Sequence, residues 1–217
     1  MSPDVWSSWR WLMPLTAYLL GSVSFAWIVG RLHGIDLRHH GSHSLGATNA
    51  GRVLGGKWFF VVFALDVAKG WAPVYAVDQS LGRGGDGEMV LVLLVGAAAV
   101  LGHIFSCFHR FKGGKAVATA LGVLIALLPW VAAVSFAIWL LALLSQRAMT
   151  SRSLSDTVGP ASIVAAVAAP IVHLVVAERP WNGRELPLTV FILLLAVLVL
   201  LKHRSNIAKL LGRAQNA

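Results

Sequence analysis

The chain has 217 residues, of which 57% are hydrophobic and only 12% charged, with a formal net charge of +9. Mean hydropathy is +0.74, and the charge-free runs are of membrane length. A soluble globular domain is therefore excluded and an integral membrane protein is predicted. The cationic excess could suggest nucleic acid, but in a membrane protein basic loops set orientation, so no nucleic-acid partner is expected. Cys107 is the single cysteine, which rules out an intrachain disulfide.

Hydropathy predicts an all-α, polytopic fold with about seven transmembrane helices, forming one domain over 1–217. The first apolar segment, near 11–31, does not read as a convincing cleavable signal. Little positive charge precedes it, and it lacks a clear small-x-small cleavage site. Next comes a polar island, IDLRHHGSHSLGATNAGR, from Ile35 to Arg52. Glycines at 41, 46 and 51 let backbone N–H groups approach a ligand, as an anion-binding loop requires. Ser42, Thr48 and Asn49 can hydrogen-bond to oxygens, while Arg38 and Arg52 supply charge and forked donors. A helix start over Asn49–Arg52 adds the N-terminal preference for phosphate. The plain alternative is a capped interhelical loop.

The second segment, near 53–77, carries Asp66 and Lys69 one turn apart in LDVAKG. Charges at that depth face the protein interior, so an i, i+3 ion pair that buttresses a site is predicted. A proton path is the functional alternative. The third segment, near 89–108, has His103 at its end, which reads as an interfacial histidine. FKGGK, Phe111 to Lys115, follows. Its paired glycines allow close backbone approach, and Lys112 and Lys115 suit phosphate, although the spacing of a P-loop is absent. The apolar stretch Ala116 to Leu144 divides at Pro129 and Trp130 into segments near 114–128 and 131–147. Ser153, Ser155 and Asp156 precede the sixth segment, near 158–177, and read first as a helix cap. After the seventh, near 186–202, His203 and Asn206 share a helical face. No His, Cys and carboxylate set completes a metal site, and no cofactor is expected.

Charge orients the chain. Arg31, Arg38, Arg52, Lys57, Arg110, Lys112, Lys115, Arg147, Arg152, Lys202, Arg204, Lys209 and Arg213 fall on one side. The other side holds Arg10, Arg83, Arg179 and Arg184 among Asp4, Asp78, Asp86, Glu88, Glu178 and Glu185. Basic loops remain cytoplasmic, so the N-terminus is predicted outside and the C-terminus in the cytoplasm. All four polar motifs then face the cytoplasm.

Taken in order, GSVSFAWIVGRLHGIDLR, LGATNAGR, LDVAKG, GHIF, FKGGKA, SLS and HRSNIAKLL resemble the bacterial acyl-phosphate:glycerol-3-phosphate acyltransferases, the PlsY family. The resemblance spans nearly the whole chain. It implies seven membrane helices and a site at the cytoplasmic face of the bacterial inner membrane. It also implies transfer of a fatty acyl group from acyl phosphate to the 1-hydroxyl of glycerol 3-phosphate, giving lysophosphatidic acid and inorganic phosphate in phospholipid synthesis. An acyl-phosphate-producing enzyme is then an expected functional partner. Ser42, Thr48, Asn49 and Arg52 match the family's phosphate-binding loop. Lys115, Ser153, His203 and Asn206 match the rest of its polar site. Arg52, Lys115 and His203 are the catalytic candidates. A mixed anhydride is already activated, so positioning and charge neutralisation suffice.

Three departures accompany the resemblance. His43 and Ser44 stand where the family loop reads Gly and Asn, Ala116 replaces the last glycine of FKGGKG, and Asp156 ends the SLSS-like element. A transporter for phosphorylated solutes is the rival of another class. It calls for an internal repeat and polar groups throughout the bilayer, neither of which is visible.

Overall fold

The computed structural model describes residues 9–81, 86–150, 153–183 and 185–212. Asp4, Arg83, Arg152, Arg184 and Arg213 of the charge map lie outside them. Among the described residues every regular element is helical: α1 Leu12–Ser22, α2 Phe25–Leu32, α3 Ala47–Leu54, α4 Gly56–Leu81, α5 Asp86–Ile104, α6 Val117–Leu127, α7 Pro129–Met149, α8 Leu154–Val176, α9 Glu185–Lys202 and α10 Arg204–Leu210. Single 3₁₀ turns occupy Leu37–His39 and Cys107–His109.

Six stretches among the described residues are long and apolar enough to cross a membrane: Leu12–Leu32, Gly56–Leu81, Glu88–His109, Pro129–Met149, Leu154–Val176 and Glu185–Lys202. The remaining expected segment, near 114–128, is the 11-residue α6. At 1.5 Å per residue it is about 16 Å long, roughly half the hydrocarbon thickness. The apolar run divides where expected, because Leu128 is non-helical and Pro129 opens α7 at a position that needs no N–H partner.

Contacts cluster into two compact units, residues 1–127 and 128–217. In the first, α1 packs on α5, α4 on α6, and α3 on α4. Small residues bring the backbones together, as in many membrane interfaces. Gly21 lies against the Ala99 carbonyl, Gly70 against that of Thr119, and Gly122 against that of Val67. A β-carbon at any of these would collide with backbone and force the helices apart.

The first span is broken between α1 and α2, where Val23 is extended and Ser24 caps α2 by accepting from Trp27 N at 3.2 Å. Carbonyls freed by such a break need partners in a lipid environment. Ser106 Oγ donates to Ser22 O at 2.6 Å and Lys69 Nζ donates to Val23 O at 2.7 Å. Lys69 also forms the predicted pair with Asp66, at 2.8 Å, and both side chains are buried. The pair therefore has a structural task that the spacing alone did not reveal: it satisfies the interrupted first helix.

In the second unit α8 packs on α7 and α9. Trp139 Nε1 donates to Ser162 Oγ at 3.2 Å, and Ser162 in turn donates to Val158 O at 2.7 Å. A buried hydroxyl thus links two helices without leaving its own donor unpaired.

Candidate functional site

In the first unit the site is built on the loop between α2 and α3. Asp36 organises its entry. It caps the 3₁₀ turn by accepting from Arg38 N at 3.1 Å, and it grips the Arg38 guanidinium through Nε at 3.0 Å and Nη2 at 2.6 Å. Arg31 Nη2 lies 3.5 Å from the same carboxylate. The Arg38 hydrogen bonds, reinforced by the charges of Arg38 and Arg31, hold the Asp36 carboxyl well below the usual carboxylate range. Arg38, read from the sequence as an anion ligand, is thus committed to shaping the loop.

Asn49 fixes the turn that follows. Its side chain is buried, with Oδ1 accepting from Ser42 N at 2.8 Å. Its Nδ2 donates to the carbonyls of Leu37, His40 and Ser44 at 3.1, 3.0 and 3.0 Å. One amide therefore ties four loop positions to the first turn of α3. Gly41, at φ +63°, presses against Asn49 Oδ1, and a side chain there would displace the amide. The helix itself starts at Ala47, two residues before the predicted Asn49. Thr48 then lies in its first turn, Arg52 on its exposed last turn, and Ser42 on the exposed loop.

FKGGK folds back along the end of α5. Gly113 N donates to Ile104 O and Gly114 N to His103 O, each at 3.1 Å. Gly114 rests on the His103 ring, whose Nδ1 is 3.7 Å from Asp66 Oδ1. The buried pair therefore supports the segment that carries Lys115. On the other face, the β-carbon direction of Gly46 meets Gly114 Cα at 4.0 Å. This contact brings the loop of Ser42, Thr48, Asn49 and Arg52 beside Lys115, although more than sixty positions separate Gly46 from Gly114.

Two of the departures take left-handed backbone: His43 at φ +57° and Ala116 at φ +60°. These are conformations in which glycine is unstrained. The His43 ring offsets part of that cost by donating from Nδ1 to Arg38 O at 3.0 Å.

The second unit carries the other predicted residues. Ser153 sits at the N-cap position of α8, yet its hydroxyl makes no capping bond. It donates instead to Asp156 Oδ2 at 2.6 Å and lies 2.9 Å from Ser155 Oγ. His203 is buried, and its Nδ1–H donates to Val199 O at 2.9 Å. Asn206 packs its amide on Gly159 of α8, a contact that a β-carbon would obstruct. Ser153, His203 and Asn206 thus share one end of this unit. No group of three or more potential metal ligands forms among the described residues.

The ordered motifs and this geometry coincide with a family-wide match. A family model described as glycerol-3-phosphate acyltransferase matches residues 11–213. The chain belongs to the glycerol-3-phosphate acyltransferase family. It is similar to the glycerol-3-phosphate acyltransferase of Aquifex aeolicus, with 40% identity over 195 residues, covering 90% of this chain and 92% of that protein. The corresponding protein of Salinibacter ruber is 41% identical, with 93% and 89% covered. Among solved structures, an integral membrane PlsY in its glycerol 3-phosphate form aligns with a TM-score of 0.80 at 37% identity. The alignment covers 94% of this chain and 93% of that one. A lysophosphatidic acid form aligns at 0.78 and 36%. Membership makes this a membrane acyltransferase of phospholipid synthesis.

Sequence reasoning missed two parts of this site. Asp36 does carry a local signal, since an Asp two residues before an Arg at a turn is a recognisable capping arrangement. Ser106 carries no such signal, because its partner is 84 positions away.

Proposed function

We propose that the chain transfers a fatty acyl group from acyl phosphate to the 1-hydroxyl of glycerol 3-phosphate, releasing lysophosphatidic acid and inorganic phosphate. The observation that supports this reading is the contact of Gly46 with Gly114, which brings the glycine-rich loop beside Lys115. Two anionic substrates must approach each other, and cations fixed on rigid backbone offset that repulsion at little reorganisation cost. In this reading Arg52 and Lys115 hold anionic groups, and Ser42 and Thr48 orient oxygens. Asn49 acts by holding the loop in shape.

The substrate hydroxyl oxygen attacks the acyl carbonyl carbon, and the bond from that carbon to the phosphate oxygen breaks. Phosphate leaves with the electron pair. The hydroxyl proton passes to a substrate phosphate or to His203, in the role the family resemblance implies for it. Ser153 and Asn206 complete the assigned substrate-binding residues. The reading takes 1–217 as a single acyltransferase domain with its N-terminus outside and its site open to the cytoplasm. It also takes the membrane as the bacterial inner membrane and couples the protein to an enzyme that makes acyl phosphate.

The test mixes purified protein with palmitoyl phosphate and labelled glycerol 3-phosphate, with palmitoyl-CoA in parallel. Lysophosphatidic acid formed only from the phosphate is the expected result. Product from the thioester alone would overturn the donor. Arg52→Ala and Lys115→Ala should each lower turnover at least a hundredfold while the thermal midpoint stays near wild type. Near-normal turnover in a folded variant removes that residue from the site.

A further inference from the structure

A cavity of about 520 Å³ opens in the second unit, at the end opposite Ser153 and His203. It lies where α7 begins, α8 ends and α9 begins. The 23 residues of α8 separate it from Ser153 by about 34 Å, so it occupies the other membrane boundary. None of the residues assigned above lines it.

Its wall is built rather than loose. His173 is buried with Nε2 at 2.9 Å from Thr189 Oγ1. The Thr189 hydroxyl lies 2.6 Å from Pro180 O and 2.9 Å from Glu185 O. Because carbonyls only accept, the hydroxyl proton goes to them and His173 supplies its own N–H to the Thr189 lone pair. Further bonds run from Ala177 N to His173 O at 2.8 Å and from Asn182 N to Arg179 O at 3.0 Å. The loop between α8 and α9 is thereby pinned to both helices, and the slot is preformed. Its volume falls within the roughly 300–1,000 Å³ of ordinary ligand pockets.

The lining is amphipathic. Leu128 and the buried Val131 give an apolar floor, while Glu178, Arg179 and Glu185 stand at the rim beside the exposed Val176. Trp130 is 78% exposed at the mouth, as expected of an aromatic side chain at headgroup level. Among the described residues the rim holds one guanidinium and two carboxylates, which matches a zwitterion with a phosphate and a primary ammonium. A purely anionic headgroup would face two like charges. A quaternary ammonium has no N–H to donate, and one tryptophan does not make the aromatic cage such a group prefers.

We propose that this cavity binds the headgroup of a phospholipid bearing a primary amine, with Arg179 on the phosphate, Glu178 and Glu185 on the ammonium, and the apolar floor under the glycerol backbone. The proposal stands apart from the acyl-transfer reading and survives its failure.

The experiment uses delipidated full-length protein in detergent and adds phosphatidylethanolamine, phosphatidylglycerol or phosphatidylcholine. Free O-phosphoethanolamine is the fourth arm. Lipid retention is read by native mass spectrometry and the thermal midpoint by tryptophan fluorescence. Phosphatidylethanolamine should be retained at least fivefold better than the other two lipids and should raise the midpoint most. Arg179→Gln and Glu178→Gln, both at exposed positions, should bring that preference close to parity without lowering the lipid-free midpoint. Equal retention of phosphatidylglycerol by wild type would overturn the proposal. So would an undiminished preference in both variants, or equal protection by free phosphoethanolamine, which would make this a soluble-ligand site.

Discussion

Replacing Asn49 with Ala removes one bond to the buried Leu37 carbonyl and three part-buried bonds, to Ser42 N, His40 O and Ser44 O. Leaving a buried carbonyl unpaired costs about 1–3 kcal/mol, and a bond whose partners regain water contributes about 0.5–1.5 kcal/mol. Two hydrogens serve three acceptors here, so the donor bonds are shared and do not sum fully. The loss from the closed loop is therefore on the order of 2–4 kcal/mol, roughly thirty- to a thousandfold in its open-to-closed ratio. Hydrogen exchange resolved at residues 41–44, together with the KM for glycerol 3-phosphate, reads this out. Both should rise while α4–α6 exchange stays unchanged, because the damage is local. Asn49→Asp keeps the acceptor for Ser42 but turns a carboxylate toward three carbonyls, so its loop should exchange faster than that of the Ala variant. Wild-type exchange and KM in Asn49→Asp would refute the view that the donor side of Asn49 holds the loop.

Three further outcomes follow from the same structure. Lys69→Met leaves the Asp66 carboxylate and the Val23 carbonyl buried without their cation, at a cost of about 3–5 kcal/mol. Its thermal midpoint should fall steeply and recover in part when Asp66→Asn is added; no recovery would break the pairing argument. Ala116→Gly relieves left-handed strain of about 1–2 kcal/mol and adds about 0.4–1 kcal/mol of unfolded-chain entropy. The midpoint should rise slightly, and a clear fall would mean that the buried methyl outweighs the strain. The Asp36 clamp is worked by pH. Its folded carboxyl lies below the ordinary value near 3.8, so its contribution is full above that value and fades only as pH drops through the lower folded one. Slow exchange at the Arg38 amide, which donates to Asp36 Oδ1, should persist through pH 4 in wild type and be lost at every pH in Asp36→Ala.

How much was legible in the sequence depended on how far apart the causes lie along the chain. Apolar run length located the membrane helices, Pro129 divided the long run, and one-turn spacing foretold the Asp66–Lys69 pair. Glycine and charge patterns singled out the loop after α2 and the FKGGK segment, which the structure brings together at Gly46 and Gly114. These are local properties, set by residues within a turn or two of each other.

Which side chains bind and which merely build could not be read that way. Arg38 and Asn49 have the right chemistry for phosphate, yet one is held by Asp36 and the other by four loop positions. Ser153 occupies the cap position but donates its hydrogen bond to Asp156. His43 and Ala116 looked like changes of side chain, and the structure makes them changes of backbone strain. Sequence by itself determined where the helices run and where polar chemistry collects, because hydrophobicity and turn preference act locally. Only tertiary structure decided how each donor is used, because a hydrogen bond such as Lys69 to Val23 or Ser106 to Ser22 exists only after distant segments have packed.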